Sequence, residues 1–121
     1  MGVEVYHITP VAAPRMTQRD SWLNPPRKCV AKYFAYRDRV RKEGVQIAQS
    51  GTHIRFVMPM AKSWSATKKA AHFKKPHKQV PDIDNLLKAL LDSVFKNDFQ
   101  IHSLSVEKVW GYDGAIVIKQ E

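Results

Sequence analysis

The chain is short of several things, and each shortage narrows what it can be. Cys29 is the only cysteine in 121 residues, so an internal disulfide is excluded and the usage fits a reducing cytoplasm. With no second cysteine and no histidine at ligand spacing, zinc binding through Cys29 is unsupported; it reads as a small apolar packing residue. No run approaches the ~18 consecutive apolar residues of a membrane span. The first residues, Met1 to Tyr6, show no basic region followed by an apolar one, so no signal peptide is expected and the protein is placed in the cytoplasm, away from membranes. There is no Gly-rich phosphate loop, no dinucleotide fingerprint and no Ser–His–Asp constellation, so no nucleotide cofactor is expected. His7, His53, His72, His77 and His102 are scattered without ligand spacing and read as surface or strand residues.

Acidic residues are the most informative shortage. Eleven Asp and Glu face twenty Lys and Arg, a net charge of +9, and such an excess suggests a polyanionic partner. Between Glu43 and Asp82 there is no acid at all, while Arg55, Lys62, Lys68, Lys69, Lys74, Lys75 and Lys78 fall in that interval. Asp82, Asp84, Asp92 and Asp98 then follow closely. A basic surface beside an acidic cluster is what a nucleic-acid enzyme with a metal site requires; a solvated basic loop beside an acidic helix start is the plainer alternative.

With 44% hydrophobic residues, the chain reads as one domain over residues 1–121, large enough to hide roughly 65% of its unfolded surface. Val3–Ile8, His53–Met60, Ile101–Gly111 and Ala115–Lys119 read as strands. Thr9–Arg27 carries Pro10, Pro14, Pro25 and Pro26 and reads as an arm or loop. Helical spacing covers Lys28–Glu43, with Cys29, Tyr33, Tyr36 and Val40 on one face, and Asp84–Phe95, with Ile83, Leu87, Leu90, Leu91 and Val94 clustered. Ala61–Val80 is a Lys-rich connection, and Asp113-Gly114 is a hairpin signal. The fold class is therefore α/β (α+β-like), a small mixed four-stranded sheet with two main helices.

Asp82 and Asp84 stand two apart at a helix entrance, and Asp98 returns one loop later. Three carboxylates ~5 Å apart at an effective dielectric of ~20 repel by about 3 kcal/mol per pair. Lys88, one turn past Asp84, offsets part of this, and a hard cation such as Mg²⁺, which takes carboxylate, water and phosphate oxygens, removes it. The alternative is that Asp82 and Asp84 only cap the helix and complement its dipole, each contributing ~1 kcal/mol. Asp92, a turn further on, reads as a salt-bridge partner of a neighbouring lysine. Trp64 and Phe73 allow two readings, stacking or wedging against a nucleic-acid partner or packing in the core or a dimer contact.

The run Pro81-Asp-Ile-Asp-Asn-Leu-Leu-Lys-Ala-Leu-Leu-Asp92, with Asn97-Asp-Phe-Gln-Ile101 after it, resembles the RusA-type Holliday junction resolvases of phages and prophages. The likeness extends weakly to Tyr36-Arg37 and to the first strand. It implies catalytic roles for Asp82, Asp84, Lys88 and Asp98, with Asp82, Asp84 and Asp98 holding Mg²⁺, or Mn²⁺ in its place. Asn97 departs from the family pattern, which has an acidic pair here, and the loop before it is shorter than in some members. The resemblance further implies a homodimer that binds four-way or other branched DNA and nicks it symmetrically. Lys62, Lys68, Lys69, Lys74, Lys75 and Lys78 are the expected phosphate contacts. Cleavage of forks or flaps, and a non-catalytic basic DNA-binding dimer, are the alternatives.

Overall fold

A computed structural model describes residues 2–120. Its elements in chain order are β1 (Gly2–Tyr6), α1 (Lys28–Lys42), β2 (Thr52–Pro59), α2 (Ala66–His72), α3 (Ile83–Val94), β3 (Leu104–Gly111) and β4 (Ala115–Gln120). The four strands form one mixed sheet in the order β1-β4-β2-β3, with β2 and β3 parallel and the other neighbours antiparallel. The expected class is therefore present, with one additional short helix.

Strict alternation makes β2 the centre of the sheet: Thr52, Ile54, Phe56 and Met58 are buried while the residues between them are only partly covered. A strand this apolar needs a partner on each side. That requirement overrides the turn signal at Asp113-Gly114. Chain reversal does occur there, but β3 and β4 do not pair as a hairpin, because β2 lies between them. The crossing is tight: a Cβ on Gly111 would collide with the Val57 side chain, and one on Gly114 would lie 2.7 Å from the Thr9 Cα.

Helices α1 and α3 cover one face of the sheet. Tyr33, Tyr36 and Val40 from α1 meet Leu86, Ala89, Leu90 and Leu91 from α3 over Ile54, Phe56, Ile116 and Ile118. Two facial assignments shift. Cys29 is exposed, and Val30 takes the buried position at the start of α1; the two are adjacent apolar residues ~100° apart, and only packing chooses between them. On α3 the buried stripe runs through Leu86, Leu90 and Ser93, while Ile83 is 38% exposed at the solvent end of the helix. The Ser93 hydroxyl is tolerated in that stripe because it donates to the Ala89 carbonyl at 2.6 Å.

Strand ends also move inward. β1 ends at Tyr6, and Ile8 enters the core as the first turn of the arm. β3 begins at Leu104, because the backbone of His102 and Ser103 bonds to Gln49 and Gly51 instead of to a neighbouring strand.

Candidate active site and nucleic-acid interface

The acidic helix start is built on Asp82, the N-cap of α3. Its backbone is extended (φ −68°, ψ 145°) and its side chain makes no capping hydrogen bond, so the cap reading does not account for its carboxylate. Asp84 in the first turn accepts the Asn85 backbone N–H at 2.9 Å through Oδ1, which leaves Oδ2 free of that bond. Lys88 follows one turn later on the same flank of the helix, and all three are exposed.

Asp98 stands apart from this pair. It lies in the loop after α3, where its carbonyl accepts the Ile101 N–H at 3.0 Å, and it lines a shallow cavity with Leu87, Leu91 and His102. Leu87 is one turn from Asp84, so Asp98 borders the flank that carries Asp84 and Lys88. Among the described residues, no three His, Cys, Asp or Glu side chains are gathered closely enough to hold a metal ion. None of Asp82, Asp84, Asp98 and Lys88 is ion-paired among the described residues. Asp92 is also unpaired there; it shares a surface depression with Arg41 and Lys96 without a salt bridge, which corrects the expectation of a lysine partner.

The donor set can be tested for Mg²⁺ on its chemistry. Mg²⁺ keeps several waters and is commonly bound by one or two carboxylates together with substrate phosphate. Asp82 and Asp84 supply exposed hard oxygens at one helix entrance, with the Asn85 N–H donating to Asp84 and the Leu86 N–H to the Asp82 carbonyl. That pair fits the ion, and Asp98 is the more distant third oxygen donor.

The Lys-rich connection is folded. Ser65 caps α2 by accepting the Lys68 N–H at 3.1 Å, a seven-residue helix the lysine content conceals. After Lys74, whose φ is +65°, the chain runs beside β3: Lys74 N–H bonds to the Trp110 carbonyl, Trp110 N–H to Lys75, and His77 N–H to Lys108, each at 3.0 Å. The segment therefore covers the β3 edge and holds its lysines outward. Lys62, Lys68, Lys74, Lys75 and Lys78 are exposed and Lys69 is half-buried.

Aromatic residues anchor this strap. Trp64 packs against Trp110 and His72, each with ring centroids 4.9 Å away, and the Lys68 ammonium lies 4.1 Å from its ring centre. Trp64 is thus a packing residue with a cationic cover. Phe73, 41% exposed, leans on Tyr112. His77 is buried with its ring 4.2 Å from Trp110, so of the surface or strand positions expected for it, it is not the surface one. Burial lowers its pKa, and the neighbouring Lys108 charge adds to the effect.

Lys108 is the residue at the helix approach that sequence reasoning missed. From β3 its ammonium donates to the Gln79 carbonyl at 2.6 Å and the Pro81 carbonyl at 2.7 Å, tethering the peptide that leads into Asp82. On the other side, the arm between β1 and α1 is fastened to α3 by the Ala13 N–H, which donates to the Asn85 carbonyl at 3.1 Å. Between the arm and the strap lies a cleft of about 600 Å³ lined by Lys32, Met58, Trp64, His77, Pro81 and Trp110 among others. The helix entrance is thus held from both sides. No signal in the local sequence marks Lys108, since its role depends on strand register.

A model of the family described as Endodeoxyribonuclease RusA matches residues 8–121. No curated protein matches the chain.

Proposed function

The chain belongs to the RusA endodeoxyribonuclease family, and on that premise we propose that it resolves Holliday junctions, in recombination and repair, by paired symmetric nicks that depend on Mg²⁺, with Mn²⁺ as the substitute ion. The observation that carries this reading is the uncapped Asp82 carboxylate beside Asp84, with Lys88 one turn on and an ordered lysine strap leading into the same helix. Asp82 and Asp84 would hold the ion, with Asp98 completing the acidic set.

When bound, the ion lowers the pKa of a coordinated water and neutralises charge on the phosphate. The remaining work falls to side chains of this protein. Exposed lysines of the strap hold the phosphates on either side of the scissile one and set the strand's register. Lys88 faces the negative charge that grows on the non-bridging oxygens as phosphorus becomes five-coordinate, and stabilises it. A P–O bond forms to water, the P–O3′ bond breaks, and the water's proton ends on the 3′ oxygen, leaving a 5′ phosphate and a 3′ hydroxyl. A four-way junction offers two opposed strands, so two copies related by a two-fold axis supply two sites.

The test uses labelled four-way junction, flap and linear duplex, each with Mg²⁺ or with EDTA. Symmetric nicks in the junction alone support the proposal. Cutting of the flap with equal efficiency replaces it with a broader branch nuclease. That no three acidic or histidine side chains gather as a metal site among the described residues favours one rival, a non-catalytic basic DNA-binding dimer; binding without cutting would establish that rival.

A further inference from the structure

Resting on the reading that the substrate is branched DNA, we propose that the arm between β1 and α1 is a second DNA-contact element, in which Trp22 stacks on an unpaired nucleobase. Trp22 is 65% exposed and has no part in the core or in the chemistry described above.

The arm holds it firmly in place. The Thr17 N–H and hydroxyl both bond to the Asp20 carboxylate, at 2.8 and 3.1 Å. Arg27 grips the same carboxylate with Nε and Nη2, at 2.7 and 2.6 Å, and Nη2 also donates to the Arg15 carbonyl at 3.0 Å. The Asp20 side chain is almost wholly covered, and the Arg27 guanidinium beside it holds its carboxyl well below the usual carboxylate range. The turn closes with the Trp22 N–H on the Arg19 carbonyl at 3.2 Å. A ring presented from a stapled turn gives up less conformational freedom on binding than one on a loose loop.

Charge selects the partner. From Arg15 to Arg27 the arm carries Arg15, Arg19 and Arg27 against Asp20 alone, three positive charges less one negative, or +2. A polyanion that also offers flat aromatic faces satisfies both the arginines and the indole, and an unstacked base on a phosphate backbone is such a group. Location agrees in part: the Ala13 N–H bond to Asn85 fixes the root of the arm on the first turn of α3, so the arm sets out from the acidic helix start.

The test needs neither metal nor cleavage. In EDTA, a short oligothymidylate is titrated into the full chain while tryptophan emission is followed, with heparin as a polyanion that lacks bases. The expected result is quenching by the oligonucleotide and not by heparin, loss of that quenching in Trp22→Ala, and a roughly tenfold weaker affinity. Trp22→Phe restores most of the affinity, since a smaller ring still stacks. Unchanged affinity and quenching in a folded Trp22→Ala would overturn the inference. Equal quenching by heparin would do the same, and so would a Trp22→Ala variant whose sedimentation changes while its oligonucleotide affinity does not. A protein that binds this way yet never cuts junctions refutes the proposed nuclease function alone; one that cuts junctions without Trp22-dependent quenching refutes the stacking alone.

Discussion

Lys108→Met is the sharpest probe of how the helix start is held. The substitution keeps the aliphatic stem but deletes an ammonium that donates to the Gln79 and Pro81 carbonyls at 2.6 and 2.7 Å. Hydrogen bonds from a charged donor contribute about 1.5–3 kcal/mol each. Lys108 is half-buried, so the lower end applies and the pair amounts to about 3 kcal/mol. If that tether sets the position of Asp82, freeing it reduces the productive geometry by up to ~150-fold, because each 1.4 kcal/mol is a factor of ten. Misplacement by about 1 Å independently predicts ~100-fold. The expected outcome is a 10- to 100-fold fall in junction cleavage, by the same reasoning, while junction affinity in EDTA changes by no more than about threefold, the effect of one lost phosphate-facing charge at most. Single-turnover cleavage and a gel-shift titration on the same preparation separate the two. Wild-type cleavage by a folded Lys108→Met protein would refute the claim that strand β3 positions the acidic helix start.

Three further outcomes follow from the geometry. Asp82→Asn removes a negative charge from the phosphate-facing helix start without removing a cap, and should abolish cleavage while leaving junction binding equal or tighter; a variant that cuts at the wild-type rate takes Asp82 out of the site. His77 has its pKa lowered by burial and then by Lys108, so below its ordinary value of 6.5 the unfolded chain binds the proton more readily than the folded one. Stability should therefore fall as pH drops through 6.5 toward the lower folded value, and thermal melts at pH 7.5 and 5.5 should differ less in His77→Phe than in the wild type. Gly114→Ala places a methyl 2.5 Å from the Thr9 Oγ1 and 2.7 Å from its Cα. Overpacking against backbone costs about 1–3 kcal/mol, which lowers Tm by roughly 4–12 °C in a domain of this size; an unchanged melt would mean the arm's root is free to move.

Much of the site is legible along the chain because it is local. Asp82, Asp84 and Lys88 belong to one helix, and helical spacing alone places them on neighbouring turns. The charge order is legible for the same reason, with the strap's lysines preceding the acids. What depends on distant pairing is not. Asp113-Gly114 states that the chain turns, but only the need of β2 for two neighbours decides that β3 and β4 end on opposite sides of it. The choice of Val30 over Cys29 rests on which of two adjacent apolar residues the packing covers. Lys108 and His77 acquire their roles from the register of the strap against β3, and Asp98 from the path of an irregular loop. The short α2 hides because its outward face is lysine and its one clear signal is the Ser65 cap.

The backbone ladder between residues 74–77 and β3 gives the basic segment two duties at once. It shields a row of amide and carbonyl groups that would otherwise recruit other chains into sheet extension. Under the proposed function, repainting its side chains would retune the grip on DNA, whereas trimming its length would leave a protein that clumps before it loses its hold.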